Sequence, residues 1–130
     1  MKSKLLFCCM FVVGLSALMI FARAPIALAD TSHSGLIEED QTWSSGDNVH
    51  RITGDVTVAS GFTLTIEEGA IVKFDLGRSL IINGSLRVLG TSGNPVYFTS
   101  IRDDTIGGDT NGDGPSDGAR GDWDRIEFTS

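Results

Sequence analysis

From Val56 onward, apolar residues fall at alternate positions in short runs, and each run is broken by residues that favour turns. The first three runs are VTV (56–58), TLTI (63–66) and IVKF (71–74), punctuated by ASG and EEG and followed by DLGRS. The next three are LII (80–82), LRV (86–88) and PVYF (95–98), punctuated by NG and LGTSGN. Alternation with period two, carried by β-branched and aromatic residues, predicts short strands. Laid over each other, the two sets match Val58 with Ile82, Ile66 with Val88 and Phe74 with Phe98, offsets of 24, 22 and 24 residues.

A repeat of this length is the sequence sign of a solenoid or a blade array. As a solenoid, each repeat is one coil of three strands, and matching strands of successive coils pair in parallel. Val56, Val58, Leu64, Ile66, Val72 and Phe74 then point inward, with Leu80, Ile82, Leu86, Val88, Val96 and Phe98 stacked on them. Thr57, Thr63, Thr65, Lys73, Arg87 and Tyr97 face outward. The alternative all-β fold is a small antiparallel β-sandwich, because Asn83-Gly84 is a two-residue hairpin signal. In the coil, the same pair is a corner where left-handed φ is tolerated. No long segment has a helical apolar period; LIEEDQTW (36–43) has room for one helical turn and is expected to be an irregular lead-in.

The first residues read as an address rather than as fold. Lys2 and Lys4, the apolar run Leu5–Ala22 and the small residues Ala27 and Ala29 around Leu28 are the parts of a secretory signal peptide cleaved after Ala29. The rival reading, a membrane anchor, draws on the length of that run. Both cysteines, Cys8 and Cys9, fall within it, so the expected mature chain has no thiol and relies on packing, strand ladders or metal. Removing Lys2, Lys4 and Arg23 from the 10 basic residues leaves 7 against 17 acidic ones, a formal charge of −10. That balance argues against nucleic acid or an anionic membrane as partner and suits divalent cations.

The expected organisation is therefore a signal peptide (1–29), an N-terminal lead-in or cap (30–48) with Trp43 covering the open end of the first coil, coils (49–100), an acidic Gly-rich loop (101–122), and the start of a next coil (123–130). About two coils, plus IEF (126–128) opening a third, are fewer than the three or so repeats a solenoid needs. With Phe128 near the terminus the last sheet edge has no cap, which predicts a truncated piece, or a module completed by edge-pairing with another chain.

The loop DDTIGGDTNGDGPSDGARGDW (103–123) holds the candidate chemistry. Asp109, Asn111, Asp113, Gly114 and Asp117 fit DxNxDGxxD, in which alternate oxygen-bearing side chains surround a calcium ion while glycine makes the bend. Asp109, Asn111, Asp113, the Pro115 carbonyl and Asp117 are the candidate ligands, for a structural calcium ion bound at about 10⁻⁴ to 10⁻³ M. Arg120 stands where an EF-hand has its bidentate Glu, so a complete EF-hand is excluded; Asp103, Asp104, Asp122, Asp124 or water are the other oxygen sources. The alternative is a solvated insertion built from ordinary turn formers. Without a cation, repulsion among Asp109, Asp113 and Asp117 is expected to leave the loop extended.

TLTIEEGAIVKF, LIINGSLRVLGTSGNPVYFTS and then GDWDRIEF resemble the N-terminal segment of bacterial secreted or surface proteins with right-handed parallel β-helix repeats, similar to the pectate-lyase-like superfamily. The resemblance runs from Trp43 to the end and implies the start of a right-handed parallel β-helix. It departs after Trp123, where Asp124-Arg125 replaces the usual Gly-Gly. The DxNxDG pattern also resembles the calcium loops of thrombospondin type 3 repeats and dockerins, which need no flanking helices.

No HExxH, GxSxG or phosphate-cradling GxxxxGK occurs, and the adjacent carboxylates Glu38/Glu39, Glu67/Glu68 and Asp103/Asp104 point to opposite faces if extended. The expected function is a non-catalytic extracellular or cell-surface module, stabilised by calcium, in a protein of adhesion or display type that meets a polysaccharide or cell-surface ligand. The alternative is the opening part of a carbohydrate-active β-helix enzyme, a polysaccharide lyase or glycoside hydrolase, with Arg102, Arg120 and Arg125 the basic residues near the acidic cluster.

Overall fold

The computed structural model describes residues 30–129, and the expected signal peptide lies outside them. Nine strands follow in order: β1 (Thr31–Ile37), β2 (Gln41–Trp43), β3 (Val49–Val58), β4 (Thr63–Ile66), β5 (Ile71–Phe74), β6 (Leu80–Ile82), β7 (Ser85–Val88), β8 (Tyr97–Ser100) and β9 (Ile126–Phe128), with one 3₁₀ turn at Ser45–Asp47. Every strand pair is parallel. The chain is a β-solenoid of about three turns, and the sandwich alternative fails because β6 and β7 do not pair with each other. β6 lies between β3 and β9, and β7 lies on β4.

The register shows how the repeat becomes a core. Val56 pairs with Leu80 and Leu80 with Ile126; Val58 pairs with Ile82 and Ile82 with Phe128. On a second face Trp43, Ile66 and Val88 form one row, and Gln41, Leu64 and Leu86 another. Parallel neighbours lie about 4.8 Å apart, so each inward side chain sits directly on its equivalent one coil earlier. Val56, Val58, Leu64, Ile66, Val72, Phe74, Leu80 and Ile82 are fully enclosed, with Leu86, Val96 and Phe98 packed against them. Val88, the last of its row, is 44% exposed.

Two details of the expected register change. Phe98 pairs with Val72 rather than Phe74, and Phe74 pairs with Ser100. A shift of two residues keeps the same face inward, and the small Ser100 leaves space above Phe74 for Trp123, whose ring stacks on it at 4.3 Å and 14°. The corner at Asn83-Gly84 also works differently from the expectation, since neither residue has positive φ. Gly84 is instead pressed against the preceding coil: a Cβ there would lie 2.2 Å from the Phe62 carbonyl oxygen and 2.4 Å from that of Ala59.

Within residues 30–48, the stretch 36–43 that was expected to be irregular completes β1 and forms β2. β1 pairs with β3 along its length, with an irregularity between His33 and Gly35, and β2 pairs with β4, so this segment supplies the first coil. Trp43 is a core residue of that coil, 2% exposed. Its indole stacks on His33 at 3.9 Å and on His50 at 5.2 Å. His33 Nε2 and His50 Nδ1 share a hydrogen bond of 3.0 Å, and His50 Nε2 lies 2.9 Å from the Ser44 carbonyl oxygen. Because a carbonyl only accepts, His50 must donate from Nε2, and its Nδ1 shares the remaining bond with His33. The imidazole pair stacked on the indole closes this end of the core.

Burial lowers the pKa of His33 from 6.5 to about 4; His50 adds to the fall and Asp47 opposes it. A lowered histidine value means that the unfolded chain takes up a proton the folded chain refuses. The stabilisation is complete above pH 6.5 and is lost as pH falls towards 4. Allowing for partial exposure of the ring, the difference corresponds to about 2–3 kcal/mol. Urea unfolding of the parent and His33→Phe between pH 4 and 7 checks this: the parent's stability is expected to fall by that much more than the variant's on acidification. Gly84→Ala is expected to cost about 1–3 kcal/mol by overpacking, read as a lower urea midpoint. Gly93→Ala, where an added Cβ meets nothing within 4 Å, serves as its control.

Candidate metal centre

The loop between β8 and β9 folds back over the outer face of the sheet formed by the first half of β3, β5 and β8. Its fit is closest at Gly107, whose φ of +70° is easy only for glycine and where a Cβ would come within 3.0 Å of Val49 Cγ2 and 3.3 Å of Ile71 Cδ1. The loop thereby covers Val49 and Lys73. Lys73 was expected to face solvent; it does leave the sheet on the outer side, yet it is 0% exposed because the loop lies on top of it. Its Nζ donates to the carbonyl oxygens of Asp103 (2.8 Å) and Gly108 (2.6 Å). Burial pushes the Lys73 ammonium below the ordinary lysine range, and Asp104, Asp103 and Asp109 push it back up.

At the neck of the loop, Asp122 and Asp103 serve the fold. The Asp122 carboxylate accepts from the Ser100 hydroxyl (2.7 Å) and the Ala119 amide (2.9 Å), with Arg102 at 3.7 Å. The Ala119 amide first, then Ser100, hold it below the usual carboxylate range. Asp103 accepts from the hydroxyls of Thr105 and Thr99 and from the Thr105 amide, which lower its pKa in the same way, Thr105 contributing most. Asp124 accepts from the Ser79 hydroxyl at 3.0 Å and pairs with Arg125 at 2.8 Å. With the Asp124 amide on the Arg78 carbonyl (3.0 Å), these bonds build the corner after Trp123.

The tip is different. Asp104, Asp109 and Asp113 each bring one carboxylate oxygen to within 4.8 Å of the others. Calcium–oxygen distances of about 2.3–2.6 Å put ligands on opposite sides of one ion roughly 5 Å apart, so this spacing suits a shared cation. Asp104 reaches the tip from across the loop. One of its oxygens accepts from the Ser116 amide at 2.7 Å, while the other, Oδ1, is enclosed and has no hydrogen-bond partner. A buried acceptor without a partner costs about 1–3 kcal/mol, and a cation ligated there would remove that cost. Asp109 is preset by the amides of Gly112 (2.8 Å) and Gly114 (3.0 Å), the turn that the DxNxDG spacing implies.

Among the other expected ligands, Asn111 donates its amide to Asp113 at 2.9 Å. Pro115 and Asp117 line a shallow recess with Asp104, Thr105 and Ser116, and Asp117 is outside the group of three carboxylates. Asp104 was only a secondary oxygen source in the sequence reading. Nothing in the local pattern ranks it, since its approach depends on Ser116 drawing two distant parts of the loop together. Of the basic residues near the cluster, Arg125 is engaged with Asp124 and Glu127 and Arg102 with Asp122, while Arg120 is exposed.

Compared with known protein families, with curated proteins and with solved structures, the chain matches none.

Proposed function

We propose that this chain is a non-catalytic extracellular or cell-surface β-helix module, of the kind that adheres or displays, whose long loop binds calcium. The observation that carries the calcium reading is the enclosed, unpartnered Asp104 Oδ1 beside Asp109 and Asp113. Asp104, Asp109 and Asp113 are the core ligands, with water and loop carbonyls completing the six to eight oxygens that calcium requires. Asn111, the Pro115 carbonyl and Asp117 are peripheral to that set. The resemblance to secreted β-helix proteins of the pectate-lyase-like superfamily and the signal-peptide pattern of residues 1–29 support an extracellular location.

The non-catalytic reading is supported by the employment of the loop's other ionisable groups. Asp103, Asp122 and Asp124 are bound to hydroxyls and amides of the fold, and Arg125 to carboxylates. In a module of this kind the solenoid supplies rigidity and the outer face meets a polysaccharide or cell-surface ligand. Among the described residues the far edges of β7, β8 and β9 carry no further strand, which makes them the place for edge-pairing with another chain or with further C-terminal coils.

Isothermal titration checks the calcium reading. The parent is expected to bind with a Kd of about 10⁻⁴ to 10⁻³ M; Asp104→Ala, Asp109→Ala and Asp113→Ala should each abolish the heat, and Asp117→Ala should keep it. Absence of calcium-dependent heat in the parent removes the proposal. Incubation with acidic polysaccharides is expected to release no new chain ends. Turnover above the blank replaces the module reading with that of a carbohydrate-active enzyme.

A further inference from the structure

The loop carries a cation of its own. Lys73 belongs to β5, a strand in the middle of the sheet, and its position in the row is set by pairing with Arg51 on one side and Thr99 on the other. The side chain has no exposure, and its ammonium donates to two backbone carbonyls five residues apart, those of Asp103 and Gly108. Those carbonyls bracket the first half of the loop. The same half is tied down by the Asp104 amide on the Ser116 carbonyl (3.3 Å), the Thr105 amide on Asp103 (3.1 Å) and the packing of Gly107 on Val49 and Ile71. None of these contacts uses the tip carboxylates Asp109 and Asp113.

We propose that Lys73 acts as an internal cation that folds residues 103–108 onto the sheet in the absence of any metal, so that metal binding orders only the tip, residues 109–114. The division follows from where the positive charge comes from. At the base it is covalently attached to a rigid strand and is present whenever the coil is folded. Repulsion among Asp104, Asp109 and Asp113 is therefore partly offset before an external ion arrives, and the loop does not extend as the sequence alone suggests. The charge of Lys73 acts on the carboxylates of Asp104, Asp103 and Asp109. The statement about the tip rests on the calcium reading above; the statement about Lys73 does not.

Amide hydrogen exchange on the full chain at neutral pH, in chelator and in calcium, tests it. In the parent in chelator, the Asp104 and Thr105 amides are expected to stay protected, and calcium should raise protection only at Gly112 and Gly114. Lys73→Met, which removes the ammonium donor to the Asp103 and Gly108 carbonyls, should weaken protection at Asp104 and Thr105 roughly tenfold or more, while the amides pairing β3, β5 and β8 stay protected. Loss of base protection in the parent on chelation overturns the proposal, and so does an unchanged base in Lys73→Met. Should that variant fail to fold, the ¹⁵N-labelled ammonium of Lys73 in the parent decides: slow exchange with water supports the role, and solvent-averaged exchange overturns it. If calcium changes nothing at Gly112 and Gly114 while the base behaves as expected, the calcium reading fails and the role of Lys73 stands.

Discussion

Parallel stacking of equivalent residues is the constraint on which this structure depends. With coils about 4.8 Å apart, every inward side chain has a fixed neighbour above and below, and none can be chosen alone. The rows Val56–Leu80–Ile126 and Val58–Ile82–Phe128 are apolar throughout for that reason. The outward positions carry no such condition, which is why the threonines of β4 alternate so regularly with Leu64 and Ile66. The spacing also limits the backbone at the corners. Gly84 is glycine because the carbonyls of Ala59 and Phe62, one coil earlier, approach where a Cβ would stand.

Stacking fixes the strands and leaves the corners free to vary in length, and the long loop exploits that freedom. Between β8 and β9 the chain leaves the coil, covers the outer face and returns without displacing any row. Its return is made possible by one exchange in the core. Where the repeat leads one to expect a second phenylalanine above Phe74, the coil has Ser100, and the vacated volume is filled by Trp123 from the far end of the loop. Ser100 also binds Asp122, the residue before that tryptophan. A single small residue thus admits the returning chain and fastens it.

The features legible in the sequence are those with a period. Alternation and the repeat of about 24 residues identify the strands, their parallel pairing and most inward positions, because each follows from a rule acting on neighbours. The first coil escaped because Ile37 and Ile52 share its interior with His33, Trp43 and His50, which break the apolar alternation. These read as polar or as a cover, and become a core only when the two imidazoles bond to each other and stack on the indole. The loop was legible as a turn-rich acidic segment with a calcium-type spacing. The positions of Asp104 and Lys73 were not, because both depend on contacts across 12 to 35 residues of chain. A lysine on the outer side of a strand looks solvated until something is laid over it.

The histidine pair and Lys73 follow one rule applied in different surroundings. A polar group leaves water at little net cost only when its hydrogen bonds are completed inside. At the first coil the two rings complete each other's hydrogen bonds, and burial keeps His33 neutral. On the outer face the group is an ammonium, completed by carbonyls and surrounded by carboxylates that favour its charge. Neither arrangement disturbs the apolar rows: the histidine pair lies at their end and Lys73 outside them. The solenoid therefore carries its chemistry at its margins, and substitutions at the loop tip can change what the loop binds without reaching the core. Substitutions at Lys73, Ser100, Asp122 or Trp123 do reach it, because each of these residues is among those that join loop to coil.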